Sequence, residues 1–165
     1  LLKALHRNMG EIKRYFLKEQ DIQHLNKTVL GNLFEWFIQG VYDDNDVHKQ
    51  FVHIFYKDKR SSSHHFDILK PVLDQLKINN LIRIKLNLLT KTPTIIEHDF
   101  HRDNESSNAL TSILYLNTNN GYTRFKEEKI MSRKNTLITF PGAEFHSGTT
   151  CTDQDFRLVL NIVYH

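Results

Sequence analysis

From residue 82 to the end of the chain, apolar and polar residues alternate with the two-residue period of a β-strand. The first such run is IRIKLNLL, in which every second residue is aliphatic. Seven more runs read as short strands separated by turn-forming residues: TIIEHDF, ALTSILYLN, YTRF, EKIMS, TLITF, AEFHS and FRLVLNIVY. Eight short, evenly spaced strands in about 85 residues are typical of a closed antiparallel barrel or a two-sheet jelly roll.

The first 80 residues mix helical and strand periods. The segment EQDIQHLNKTVLGNLF carries one apolar helix face, formed by Ile22, Leu25, Val29 and Leu33. FDILKPVLDQLK has the same period, and Pro71 is compatible with it only in a first helical turn. GEIKRYFLK and VHIFYK are strand-like. We therefore predict one α+β domain over residues 1–165, with N-terminal supporting helices in residues 1–80 and a β-barrel core in residues 81–165.

Composition and charge limit the classes of partner. The 22 Lys and Arg residues exceed the 19 Asp and Glu residues by only three, which is too small a surplus to indicate a nucleic-acid or membrane partner. The single cysteine, Cys151, excludes an intrachain disulfide and a Cys-rich zinc module. No apolar run reaches the ~20 residues of a membrane helix, and the first residues lack the apolar stretch of a signal peptide. We expect a cytoplasmic protein whose partner is a peptide, protein or small-molecule substrate.

Histidine is unusually frequent, with ten residues in 165, and imidazole is a common metal ligand. In EHDFHRD, His101 and Asp103 are two residues apart and share one face of a strand, whereas His98 points to the other face. His146 follows 45 residues later, in a strand that can lie beside the first. Two histidines and one carboxylate form the facial triad of non-haem Fe(II) oxygenases.

Arg157 lies in the otherwise apolar run FRLVLNIVY. A buried arginine is costly unless an anion pairs with it, and a guanidinium binds a carboxylate through two parallel hydrogen bonds. A dicarboxylate cosubstrate accounts for this residue better than the alternative, an edge-strand arginine that faces water.

HDFHRD, LTSILYLN, NTLITFPGAEFHSG and the arginine of FRLVLNIVY resemble, in order and spacing, the prolyl 4-hydroxylase type of 2-oxoglutarate- and Fe(II)-dependent dioxygenase. The segment GYTRF is similar to the family's G-G-x-T-x-F but has a single glycine. The likeness covers residues 98–164, and FEWFIQG, FVHIFYKD and IRIKLNLLTKT are more loosely similar to small hydroxylase-like proteins, including phage-encoded ones. It implies a double-stranded β-helix (a jelly-roll, cupin-like core) flanked by helices.

The resemblance also implies an iron centre with 2-oxoglutarate and O₂ as cosubstrates. The implied iron ligands are His101, Asp103 and His146. Arg157 would hold the distal carboxylate of 2-oxoglutarate, and the hydroxyl of Tyr115 would join it. Asn161 and Asn87 would be further polar contacts of the cosubstrate. No catalytic residue is implied beyond the metal centre.

The implied reaction is hydroxylation of an unactivated C–H bond, in a peptidyl prolyl or another amino-acid side chain, with release of succinate and CO₂. Arg157 stands where collagen- and plant-type prolyl hydroxylases usually have lysine, so the resemblance leaves prolyl specificity open. Two alternatives remain: a non-catalytic jelly-roll binding module with a structural metal, and a cupin-like metalloenzyme that uses no keto acid.

Other polar residues have simpler interpretations. We predict that His98 is structural and that Arg83 and Lys85 form a solvated strand face rather than a basic wall of the cleft. His64 and His65, in the basic loop KDKRSSSHH, are expected to be solvated, although a loop of this kind can also close over a site.

Overall fold

A computed structural model describes residues 10–165 and contains two short α-helices and eleven β-strands in that part of the chain. The elements in chain order are β1 (Ile12–Arg14), α1 (Glu19–Val29), β2 (Phe37–Gly40), β3 (Lys49–Lys57), β4 (Arg60–Ser61), a 3-10 turn (Phe66–Leu69), α2 (Lys70–Leu76), β5 (Leu81–Thr90), β6 (Leu110–Tyr115), β7 (Tyr122–Phe125), β8 (Lys129–Met131), β9 (Thr136–Pro141), β10 (His146–Gly148) and β11 (Phe156–Tyr164).

The strands form two antiparallel sheets. The larger sheet has the order β1-β9-β6-β11-β5-β3-β2, with β4 paired to β3, and the smaller sheet has the order β10-β7-β8. This arrangement confirms the predicted jelly-roll, double-stranded β-helix core. The first 80 residues contribute β1 to β4 to the large sheet as well as both helices.

Both helices cover one face of the large sheet. Ile22, Leu25 and Val29 of α1 are buried in the same core as Ile84 of β5. Pro71 lies in the first turn of α2, as its fixed φ and missing N–H require. None of the described helices is long and apolar enough to cross a membrane.

One sequence prediction fails at the end of α1. Leu33 was expected on the buried helix face, but the helix ends at Val29 and Leu33 is 87% exposed. The amide of Gly31 instead bonds to the carbonyl of Thr28, and this tight turn takes the chain off the helical path before Leu33.

Strand β5 lies between β11 and β3 in the large sheet and has two different faces. Ile84 and Leu86 are fully buried in the core under the helices. Arg83, Lys85 and Asn87 alternate with them and line a cavity on the opposite face. The predicted solvated face for Arg83 and Lys85 is therefore wrong.

The segment between β5 and β6 carries the H-x-D pair, and it is not the regular strand that the alternation of TIIEHDF predicts. Its backbone pairs with β10 only at isolated positions: His98 bonds to Gly148, and His101 bonds to His146. The step from His98 to His101 is three residues, whereas the matching step from Gly148 to His146 is two. One extra residue on one strand is the spacing of a β-bulge. The extra residue rotates the chain by one position, so that His98 and His101 face the same cavity. The prediction that His98 faces away is wrong for this reason.

Candidate metal centre and cosubstrate cavity

His101, Asp103 and His146 come together at one end of the small sheet. The amide of His101 donates to the carbonyl of His146 (2.9 Å), and the amide of His146 donates back (3.0 Å). The amide of Asp103 bonds to the carbonyl of Gly142 (3.2 Å). As a result, one ligand atom from each of the three side chains lies within 4.8 Å of the other two.

The two histidines present their Nε2 atoms to this centre. Nδ1 of His146 lies 3.0 Å from the carbonyl oxygen of Glu144, and Nδ1 of His101 lies 3.3 Å from that of Asp99. A carbonyl can only accept, so each Nδ1 carries a proton, and Nε2 is the ring atom left to face a metal. Burial and the neighbouring His146 lower the pKa of His101, which favours the neutral, metal-binding ring.

Asp103 is held from two sides. Its Oδ1 accepts a hydrogen bond from Nη2 of Arg83 (2.7 Å), and its Oδ2 accepts one from Nδ2 of Asn161 (3.0 Å) and lies 3.3 Å from Nε2 of His146. Burial alone would raise the pKa of Asp103, but His146, Arg83 and Asn161 outweigh it and hold the pKa well below its usual range. An oriented carboxylate and two imidazoles suit a divalent transition metal.

Arg157 is 2% exposed. Its Nε donates to Oγ of Ser132 (2.7 Å) and its Nη2 donates to Oγ1 of Thr123 (3.2 Å). No carboxylate of the described residues lies within 4.0 Å of it, although it is a cavity-lining cation. Burial lowers the pKa of Arg157, and a bound anion would relieve this desolvation.

The G-x-T-x-F segment builds the pocket around this arginine. A Cβ atom on Gly121 would lie 2.6 Å from Cδ of Arg157, so glycine leaves the space for the side chain. The hydroxyl of Thr123 accepts hydrogen bonds from Arg157 and from the hydroxyl of Tyr115 (2.8 Å). Tyr115 is fully buried behind Thr123 and is absent from the cavity lining. Thr123, which the sequence analysis did not identify as a site residue, lines the cavity.

A single cavity joins the arginine to the metal triad. Six of the seven predicted site residues line it: Asn87, His101, Asp103, His146, Arg157 and Asn161. Asn161 contacts Asp103 and Arg83 directly. Oδ1 of Asn87 and both ring nitrogens of His98 are buried there without a hydrogen-bond partner. Burial, with a smaller effect of His48, lowers the pKa of His98 to about 4. Unused polar groups inside a cavity indicate a site that receives a polar ligand.

An outer cleft of about 370 Å³ opens from the same centre. It shares Arg83, Lys85 and the His101–Asp103 pair with the inner cavity. Burial lowers the pKa of Lys85 to about 8. Three exposed aromatic side chains line the cleft: Tyr42, Phe100 and Phe145. The sequence analysis did not identify this aromatic rim, because its members come from separate loops.

Neither a protein-family model nor a curated protein matches the sequence. Comparison with solved structures finds a prolyl 4-hydroxylase from Pseudomonas putida, with 14% identity, a TM-score of 0.60, and coverage of 98% of this chain and 95% of that chain. A Trichoplax adhaerens prolyl hydroxylase in complex with a hypoxia-inducible-factor peptide has 14% identity and a TM-score of 0.64, with coverage of 97% of this chain and 84% of that chain. The α-ketoglutarate-dependent epimerase SnoN of nogalamycin biosynthesis has 12% identity and a TM-score of 0.67, with coverage of 97% of this chain and 79% of that chain.

This chain has the fold of the 2-oxoglutarate- and Fe(II)-dependent oxygenases. The residues present also fit what those oxygenases bind. The triad supplies three ligand atoms for a divalent metal, and the unpaired guanidinium of Arg157 matches a distal carboxylate. Between them, Leu89, Ile113 and Val159 give the cavity an apolar wall that suits the two methylene groups of 2-oxoglutarate.

Proposed function

We propose that this protein is an Fe(II)- and 2-oxoglutarate-dependent dioxygenase that hydroxylates an unactivated C–H bond. One observation carries the proposal: the His101–Asp103–His146 triad and the buried, unpaired Arg157 open into the same cavity. Iron, 2-oxoglutarate and O₂ together supply the oxidant that converts C–H to C–OH, with succinate and CO₂ as the other products.

The protein's part in this reaction is to bind and to orient. His101, Asp103 and His146 would hold the iron as its three protein ligands, the donor set of two histidines and one carboxylate that suits non-haem Fe(II). Arg157 binds the distal carboxylate through its guanidinium, which Ser132 and Thr123 hold in place.

The inner part of the cavity, around Arg157, is shielded from water. Leu89, Ile113 and Val159 line it with apolar side chains, and β11, which carries Arg157, is buried along most of its length. Excluding water strengthens the charge interactions inside the cavity and limits side reactions. Asn161 and Arg83 keep the carboxylate of Asp103 ionised and directed at the metal.

We further propose a peptidyl prolyl or another amino-acid side chain as the substrate. Two of the compared structures are prolyl hydroxylases, and one of them holds a peptide. The outer cleft is open, reaches the triad and is rimmed by Tyr42, Phe100 and Phe145. Aromatic-lined grooves are the usual docking surface of extended, proline-containing peptides.

The test is aerobic incubation with Fe(II), 2-oxoglutarate and a library of proline-containing peptides, followed by measurement of succinate and of peptides that gain one oxygen atom. Asp103→Ala is the matched inactive control. We expect succinate from the wild type alone. Absence of both products would favour a jelly-roll binding module, and peptide oxidation without 2-oxoglutarate would favour a cupin-like metalloenzyme.

A further inference from the structure

A second group of metal-ligating side chains lies outside the cavity. Glu35 precedes β2, and His64 and His65 precede the 3-10 turn. Nε2 of His64 lies 3.7 Å from Oε1 of Glu35, and Nε2 of His65 lies 3.5 Å from Oε2. The ligand atoms of all three residues lie within 4.8 Å of one another, as in the triad.

This group is on the other face of the large sheet from the triad. His53 of β3 hydrogen bonds to the carbonyl oxygen of Glu35 through Nδ1 (2.7 Å), and it pairs across the sheet with Leu86. Leu86 faces the core under the helices, whereas Lys85 and Asn87 face the cavity. The two groups therefore cannot share one ion.

A local hydrogen-bond network holds the backbone of His65. Oγ of Ser63 lies 2.7 Å from Nε2 of His53 and accepts a hydrogen bond from the amide of His65 (3.1 Å). The amide of Ser62 bonds to the carbonyl of Phe55 (3.0 Å). These bonds tie the loop to β3. His64 is exposed, as the sequence analysis expected, whereas His65 is half-buried.

The spacing of the ligand atoms is compatible with a shared metal ion. A charge-assisted N–H···O bond is about 2.7–2.9 Å long, and both Nε2–Oε distances are longer. Two ligands bound at about 2.0–2.1 Å to a tetrahedral Zn²⁺ are about 3.3 Å apart, which is close to the distances observed. Nε2 of His65 is also buried without a hydrogen-bond partner, although its ring is directed at the carboxylate.

We propose that Glu35, His64 and His65 form a Zn²⁺ site that is independent of the iron centre. Imidazole and carboxylate are ordinary Zn²⁺ ligands, and three of them leave a fourth position for water. His64 is 69% exposed and Glu35 is 47% exposed, so the ion can reach the site from solvent. A bound ion would tie two segments that are 30 residues apart in sequence and would stabilise the folded state.

The experiment is equilibrium dialysis of metal-stripped protein against Zn²⁺, with metal analysis of the wild type and single variants. We expect His65→Ala and Glu35→Gln to lose one Zn²⁺ per chain, and His101→Ala to retain the ion at this site. His24→Ala, which removes an exposed histidine outside the group, is the matched control and should bind as the wild type does. Loss of a residue that only hydrogen bonds to a metal ligand typically weakens metal binding by about 10- to 100-fold. Loss of a direct ligand should weaken Zn²⁺ binding by more than this.

Thermal unfolding supplies a second measurement. In the His101→Ala background, Zn²⁺ should raise the midpoint of unfolding, and adding His65→Ala or Glu35→Gln should abolish the rise. Unchanged Zn²⁺ stoichiometry in both His65→Ala and Glu35→Gln would overturn the proposal, as would loss of all Zn²⁺ in His101→Ala. Because His65 is remote from the cavity, 2-oxoglutarate binding in His65→Ala reports separately on the dioxygenase proposal.

Discussion

The side-chain amide of Asn161 donates a hydrogen bond to Oδ2 of Asp103 at 3.0 Å, and its oxygen accepts one from Arg83 at 3.0 Å. Asn161 thus fixes the carboxylate ligand without being a ligand itself. Removing such a partner usually lowers metal affinity by about 10- to 100-fold. We expect Asn161→Ala to weaken Fe(II) binding in this range in an anaerobic titration. Asn45→Ala, in an exposed loop, should bind normally, and equal affinities for the two variants would contradict this role.

Arg157→Ala should weaken 2-oxoglutarate binding by about 2–5 kcal/mol, because it leaves the ligand's carboxylate buried without a partner. Calorimetric titration of the Mn²⁺-loaded protein measures this change without turnover. Arg133→Ala removes an exposed arginine and is the matched control. Unchanged affinity in Arg157→Ala would remove the assignment of this residue.

Thr123→Val should lower 2-oxoglutarate affinity by about tenfold, because the hydroxyl that holds Arg157 is lost. Tyr115→Phe should have a smaller effect, since the Tyr115 hydroxyl bonds to Thr123 and its side chain does not line the cavity. The same titration ranks the two variants. A larger loss in Tyr115→Phe would show that Tyr115 contacts the cosubstrate directly, as the family resemblance implies.

Gly121→Ala and Gly148→Ala differ in the space available for a methyl group. A Cβ atom at Gly121 would lie 2.6 Å from Cδ of Arg157 and 2.7 Å from the carbonyl oxygen of Thr150. At Gly148 the nearest atom is Nη1 of Arg157, at 3.6 Å. We expect Gly121→Ala to lower both the unfolding temperature and 2-oxoglutarate affinity, while Gly148→Ala stays as stable as the wild type. Equal thermal stability of the two variants would contradict the packing described.

The buried His98 should make stability depend on pH. Burial is the largest cause that lowers the pKa of His98 from 6.5 to about 4. Between these two pH values, the unfolded chain takes up a proton at His98 that the folded protein excludes. Its contribution to the free energy of unfolding is therefore lost as the pH falls from 6.5 to 4. Urea unfolding at pH 7 and pH 5 should show a smaller loss in His98→Gln than in the wild type. His24→Gln should lose as much as the wild type, and an equal loss in His98→Gln would refute the account.

Much of the fold follows from local periodicity. Strands β5 to β11 lie where apolar alternation predicts them, and α1 begins within its predicted segment. The metal triad was identified from the residue types and spacing of His101, Asp103 and His146, and the structure brings these side chains together. The strands follow from a pattern that repeats along the chain, and the triad follows from residue types on segments that can lie side by side.

The errors have a different origin. Alternation cannot show that the polar face of β5 lines an interior cavity, because this depends on which sheet packs opposite Arg83 and Lys85. A single bulge reverses the face of His98, and periodicity does not record it. The place of Thr123 at the cavity depends on how β7 lies against Arg157, a contact between distant segments, so the sequence pattern did not single this residue out.

The central claim is that this cavity holds iron and 2-oxoglutarate together. Anaerobic addition of Fe(II) and 2-oxoglutarate, followed by visible absorption spectroscopy, tests it without knowledge of the substrate. The account predicts a weak charge-transfer band in the wild type that is absent from Asp103→Ala and needs more 2-oxoglutarate to develop in Arg157→Ala. The absence of the band in correctly folded wild-type protein, at saturating Fe(II) and 2-oxoglutarate, would contradict it.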